Sequence, residues 1–278
     1  MQDPYITALN SQRAAVSWIN AISENMGNMY TPGYRETRIH FADFVNGVQL
    51  FELSRQERQG KSMPGKGPTN LMVEGQGYFV VRKADGSLLY TRLGEFDFNG
   101  EGTLVNNKQY KVQGYLLGED GKMIDTGNSN LSPAGNNPSH TQGGPGHIPT
   151  TEINLWIDPS NGKFFGKYDE YDIRPDGTVM GVQKKGNIKT PLYKIALVNF
   201  VNPAALSQPE DLMFSPNNLS GEPVEGSGEI RKGLLESSNT VMKDNVAMFQ
   251  QAKLQMNIAT KIISTNKTLL EEALRLIQ

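Results

Sequence analysis

Toward the C-terminus, hydrophobic positions recur every seven residues. From Val241 to Ile277 one row runs Met242, Phe249, Met256, Ile263, Leu270 and Ile277 without a polar interruption. Beside it lie Val241, Met248, Gln255, Ile262, Leu269 and Leu276. No Pro or Gly breaks the stretch, so it predicts one helix of about 55 Å at about 1.5 Å rise per residue. A third row, Asn245, Ala252, Ala259, Asn266 and Ala273, is small or polar. Such residues are poor knobs for a two-stranded zipper but suit close approach of other helices. The N-terminus carries a counterpart. Asp3 and Pro4 fit a helix cap and first turn. Tyr5, Leu9, Val16, Ile19 and Met26 then share one helical face, with Ala8, Ala15, Ile22 and Met29 alongside. Gly27 and Thr31-Pro32-Gly33 close this helix. The plain alternative is that each helix packs on its own globular body. With a β-like pattern between them, pairing the two helices is the simplest way to bury both faces.

Between the helices the periodicity changes. Residues 35–70 read as a linker or extended segment, with a short apolar cluster (Phe41, Phe44, Val48, Leu50, Phe51) and a Gly/Pro/Lys run from Gly60 to Pro68. From Leu71 the period is two. Short strands over Leu71–Glu74, Tyr78–Arg82, Leu88–Arg92, Gly94–Phe98, Thr103–Val105 and Tyr110–Tyr115 are separated by turns such as Asp85-Gly86 and Asn99-Gly100. Residues 126–151 form a polar, Gly/Pro-rich inserted loop, expected to be flexible. Strand patterning resumes at Ile153–Ile157, Tyr171–Ile173 and Thr178–Val182, and the apolar run Pro191–Val201 is the best candidate for a central strand. The expected fold class is therefore α+β: paired N- and C-terminal helices, coiled-coil-like, with a central antiparallel, mostly β body. Its expected divisions are 1–34 together with 236–278, then 35–70, then 71–235.

Composition narrows the function more than it suggests one. A net charge of −2 gives no basic footprint for nucleic acid. No run approaches the length of a membrane span, and the first residues lack the basic head and apolar core of a secretory signal peptide. With no Cys, thiolate metal sites, disulfides and Cys nucleophiles are excluded. His140 and His147 lie in the polar loop without a neighbouring carboxylate, and His40 is remote from both, so no metal site is expected. The carboxylates Asp97, Asp120, Asp169, Glu170, Asp172 and Asp176 mostly flank turns, where short polar side chains stabilise the bend. No pair stands out as a hydrolytic couple. Tyr78, Tyr90, Tyr110, Tyr115 and Trp156 offer a sugar-binding face, although aromatics at alternate strand positions more often fill a core.

Five blocks in order resemble the flagellar rod and hook family of axial proteins. The segment Asn25 to Tyr34 (NMGNMYTPGY) is similar to that family's Asn-rich N-terminal signature closing in Thr-Pro-Gly-Tyr, with Asn25, Asn28, Thr31, Pro32 and Gly33 as its turn residues. Asn70 to Val81 (NLMVEGQGYFVV) matches the next block. Tyr90–Phe96, Gly102–Val105 and Tyr110–Gly114 match the third. Asn199 to Leu206 (NFVNPAAL) and Gly233 to Asn239 (GLLESSN) match the blocks before the C-terminal helix. The usual Asn-Ile-Ala-Asn is here Asn25-Met-Gly-Asn28, and the loop at 126–151 is longer than in a minimal rod protein. The chain is short for a typical hook protein, which favours a proximal- or distal-rod type.

The resemblance implies a bacterial flagellar basal-body subunit without enzymatic activity or cofactor. It implies a homo-oligomer in a helical array, with other rod and hook subunits and the flagellar export apparatus as partners. It also implies export without a cleavable signal peptide into a periplasm-spanning rod that carries torque from motor to hook. The expected assembly interface is Leu9, Val16, Ile19, Ile22 and Met26 with Met242, Phe249, Met256, Ile263, Leu270 and Ile277. A hook-type subunit, a surface adhesin or sugar-binding β protein, and an exported β-fold hydrolase are the rival readings.

Overall fold

The computed structural model describes residues 4–44, 47–124, 150–155, 157–158, 163–164, 168–186 and 188–277. His140, His147, Trp156 and most of the 126–151 loop lie outside the described residues, as does Asp3. The chain divides into two compact units, one formed by residues 1–58 with 238–278 and the other by residues 59–237.

The first unit holds helix α1 (Pro4–Gly27), the strands β1 (Thr37–Phe44) and β2 (Gly47–Arg55), and helix α2 (Met242–Ile277). The long helix thus takes the extent its apolar rows predict, without a kink-forming Pro or Gly. β1 and β2 form an antiparallel hairpin from Thr37↔Arg55 to Phe44↔Gly47, with a register shift between His40 and Phe41. Residues read as a linker therefore include a regular hairpin. Its alternation was hidden by charged residues at both strand ends and by that bulge, which breaks the two-residue period.

The second unit contains the other strands. In chain order these are β3 (Ser62–Pro64), β4 (Leu71–Glu74), β5 (Tyr78–Arg82), β6 (Leu88–Thr91), β7 (Phe96–Phe98), β8 (Leu104–Asn106) and β9 (Lys111–Leu116). After the loop come β10 (Thr151–Glu152), β11 (Ile157–Asp158), β12 (Lys163–Phe164), β13 (Glu170–Ile173), β14 (Thr178–Gln183), β15 (Ile188–Ile195) and β16 (Leu197–Asn199). The last are β17 (Ser207–Glu210), β18 (Met213–Ser215), β19 (Val224–Glu225), β20 (Glu229–Lys232) and β21 (Leu234–Glu236). The main path runs β13-β14-β15-β9-β5-β6-β18-β17, and the pairings along it are antiparallel.

β5 shows why this sequence forms a sheet buried on both sides. Its aromatic and β-branched residues alternate between two cores: Phe79 and Val81 join one, Tyr78 and Val80 the other. Phe79 meets Phe96 edge-on at 5.0 Å, and Tyr90 meets Phe200 edge-on at 5.0 Å. The apolar run 191–201 is not one central strand. It breaks at Ala196, so that β15 pairs with β14 and β9 while β16 pairs with β5 and β19. The central place falls to β5 and its neighbour β6, in which every residue is buried. Tyr78 and Tyr90 are core residues, which removes them from any sugar-binding face.

Two polar devices stitch distant segments of this unit. Arg92 and Glu236 are 3% and 2% exposed, and the Arg92 Nε lies 3.0 Å from the Glu236 carboxylate. Arg92 also donates to the carbonyls of Gly75 and Gly77, and Glu236 accepts from the Gly60 amide at 2.8 Å. At the surface, Glu210 accepts from Lys83, Lys108 and Tyr110. These hydrogen bonds, that from Lys83 first, hold its carboxyl down at about 2.

Removing one member of the buried pair leaves the other charge uncompensated, at a cost of about 3–5 kcal/mol. Arg92→Met is expected to lose that much in urea unfolding, and Arg92→Met/Glu236→Met to lose less than Arg92→Met alone. A depressed carboxyl contributes stability that is present above its unfolded value and disappears as pH falls through its folded value. Glu210 should therefore stabilise the fold above the ordinary 4.5 and cease to do so as pH falls to about 2. The midpoint difference between wild type and Glu210→Gln should accordingly shrink across that window.

Candidate assembly interface

α1 and α2 pack side by side in opposite directions. Asn25 near the end of α1 donates to Asn245 near the start of α2 at 3.3 Å, and Gln12 donates to Thr260 at 3.3 Å. The seam is lined by small residues. On α1 the buried positions include Ala8, Ala15 and Ile22; on α2 they are Asn245, Ala252 and Ala259, again seven apart. Alanine at these positions lets the backbones approach, and the bulkier rows then flank the line of contact.

The predicted interface residues divide accordingly. Ile22 is buried in the seam, and Leu9, Ile19, Met26, Phe249, Met256 and Ile263 are half-buried beside it. Val16 and Met242 are each 44% exposed, and Leu270 is more exposed still. Ile277 is the last residue of α2. The row read as the primary stripe is thus a flank, and the small third row is the centre. Sequence periodicity fixed the face but not its midline, because hydrophobicity marks bulk whereas the closest approach selects small side chains.

The turn signature has a physical explanation. Asn28 donates to the Glu24 carbonyl at 3.0 Å and accepts from Thr31 at 3.1 Å, which closes the end of α1. Pro32 has no amide to continue the helix. Gly33 takes φ 72°, a left-handed value that an L side chain rarely adopts. Asn25 is buried and fully used. Its Oδ1 accepts from the Thr37 amide (2.9 Å) and the Tyr34 hydroxyl (3.0 Å), while Nδ2 donates to the Thr37 carbonyl (2.8 Å) and to Asn245. Burial, reinforced by the Glu24 carboxylate, pushes the Tyr34 hydroxyl up to about 12, so it remains a donor at all ordinary pH.

Asn239 does the corresponding work for the other terminal segment. It accepts from the Glu36 amide at 2.6 Å and donates to the carbonyls of Gln56 and Arg58, both at 2.8 Å. Asn239 and Asn245 were not among the expected site residues. Their signal was present, as asparagines in a motif and in a row of alanines and asparagines, but a hydrogen-bonding role is invisible without the partner segments.

Chemistry other than packing is sparse. Among the described residues no group of three or more His, Cys, Asp or Glu side chains is placed to hold a metal. The carboxylates of Asp85, Asp120 and Asp176 accept backbone amides two residues on, as turn formers. No helix of the described residues is long and apolar enough to cross a membrane.

The chain thus combines a pair of terminal helices, with apolar surface of α2 left exposed, and a separate antiparallel β unit. The profile described as "Flagellar hook protein FlgE/F/G D1 domain" matches residues 72–181, within the β unit. The flagellar basal-body rod protein FlgG of Buchnera aphidicola subsp. Acyrthosiphon pisum is 23% identical over 296 residues, covering 96% of this chain and 95% of the relative. FlgG of Agrobacterium fabrum is 25% identical over 280 residues, covering 89% and 88%. The flagellar hook protein FlgE of Borreliella burgdorferi is 30% identical over 122 residues, but this covers only 42% of the chain and 27% of the relative. The chain is thus similar to flagellar rod proteins along nearly its whole length and to flagellar hook proteins over a shorter segment, which supports a flagellar axial structural subunit.

The alanine seam makes a direct prediction. Overpacking a filled position costs about 1–3 kcal/mol. Ala252→Leu is expected to loosen the α1–α2 pair by that amount, read as an earlier loss of far-UV helical signal on heating. Ala273→Leu, on the exposed end of the same row, should leave the melt unchanged.

Proposed function

We propose that this protein is a rod-type subunit that self-assembles through its terminal helices into a helical tube carrying torque from motor to hook. Residues 1–34 with 236–278 form the inner, coiled-coil-like tube, 71–235 the outer body, and 35–70 the connection between them. Its partners are further copies of itself, other rod and hook subunits, and the flagellar export apparatus that delivers it to the basal body.

One observation carries this reading. The last turns of α2 expose Leu269, Leu270, Leu274 and Leu276 at 57%, 64%, 63% and 88%. Burying a leucine side chain is worth about 1.5–3 kcal/mol, so four on one helix end form a surface suited to a protein partner. The rod type is favoured over the hook type because the rod relatives match along nearly their whole length, whereas the hook relative matches over a limited segment.

Leu270 lies on this face but is too exposed to matter for folding of a single subunit. Leu270→Asp is expected to abolish assembly in sedimentation and negative-stain imaging, with the monomer's unfolding free energy within about 0.5 kcal/mol of wild type. Normal filaments from this variant would overturn the proposal.

A further inference from the structure

The same helix pair carries a second apolar surface. A groove of about 520 Å³ lies between the start of α1 and the middle of α2, lined among others by Ala8, Ser11, Leu254, Ile258 and Ile262. Leu254 and Ile258 are 61% and 54% exposed. We infer that this groove receives the leucine-rich end of α2 from a second copy of the chain, a head-to-tail contact that rests on the assembly reading above and specifies it.

Three features select that occupant. The first is length. Extending the register set by Asn25–Asn245 and Gln12–Thr260, Pro4 falls opposite about residue 267, so roughly ten residues of α2 overhang by about 15 Å. The groove side of α2 runs from Gln251 to Ile262, about 17 Å at the same rise. The second is shape. The groove is concave and apolar, whereas the overhang is a ridge of branched side chains that has no counterpart in its own subunit among the described residues.

The third is charge. From Pro4 to Ser23 and from Asn245 to Leu270 the paired helices carry Arg13, Lys253, Lys261 and Lys267 and no carboxylate. The overhang carries Glu271 and Glu272 against Arg275. Lys261 stands seven residues after Leu254 and so falls at the rim of the groove, beside its lining. Glu271 is bridged by Lys267 of its own helix at 4.0 Å, which leaves Glu272 to meet the carboxylate-free, basic stretch beside the groove. Because groove and ridge are different patches of one chain, the contact is heterologous. It repeats from copy to copy without closing into a dimer, as a filament requires.

The chain has no native cysteine, so engineered pairs report cleanly. Full-length Ile258→Cys and Leu274→Cys chains, distinguishable by a mass tag, are assembled separately and together and mildly oxidised. Within one helix the two sites are about 24 Å apart, beyond disulfide reach, so a bond joins different copies. The expected result is a mixed disulfide at least tenfold more abundant than either homodisulfide. In parallel, Lys261→Glu and Glu272→Lys should each raise the critical concentration for assembly about tenfold, and the two chains mixed should return it to within threefold of wild type. A dominant Leu274→Cys homodisulfide, filaments without the mixed disulfide, or no rescue on mixing would each overturn the groove assignment. A wild-type chain that never forms filaments, or filaments unaffected by Leu270→Asp, would instead overturn the assembly reading on which it stands.

Discussion

A helix of 36 residues cannot bury its apolar face against one of 24. That mismatch governs the first unit. α1 covers the early part of α2, where Asn245, Ala252 and Ala259 form the floor of the contact. Beyond it the apolar character of α2 continues unchanged while the cover ends. Leu269, Leu270, Leu274 and Leu276 are exposed there, so the apolar surface of α2 is not covered within one copy.

Where the helices meet the rest of their unit, polar groups take over from packing. Asn25 and Asn239 bind backbone groups of neighbouring segments in place of water, and a buried amide used this way permits few alternative arrangements. Alanine alone would let the two helices slide by a turn. The Asn25–Asn245 bond at one end and the Gln12–Thr260 bond further along fix their register. In the β unit, Arg92 and Glu236 play a similar part, joining β21 to the segment before β3 and to the turn between β4 and β5.

Much of this was legible in the sequence, and the remainder was hidden for definable reasons. Both helices, the antiparallel β pattern of 71–116 and the turn residues at Asp85, Asp120 and Asp176 follow from local chemistry that needs no distant partner. β3, β20 and β21 were missed because each is only three or four residues long and owes its strand geometry to pairing with a remote segment. The β1–β2 hairpin was obscured by its bulge. At the interface, apolar periodicity identified the correct helix faces, but it placed Val16 and Met242 nearer the centre than they lie. The third row with Asn245 reads as suited to close helix approach, and burial places Asn245 in the seam, but its hydrogen-bonded partner was not legible.

The pairing of β3 with β21 and of β4 with β20 has a kinetic side. Residues 62–64 find their partners only at 234–236, and residues 71–74 at 229–232. Such pairs close loops spanning most of the unit, and non-local closure of this kind slows folding. The strands at both ends of the β unit therefore stay unmatched until almost the whole chain is present. The two small sheets are completed only by residues 229–236, so a chain stopped short of them leaves β3 and β4 without partners.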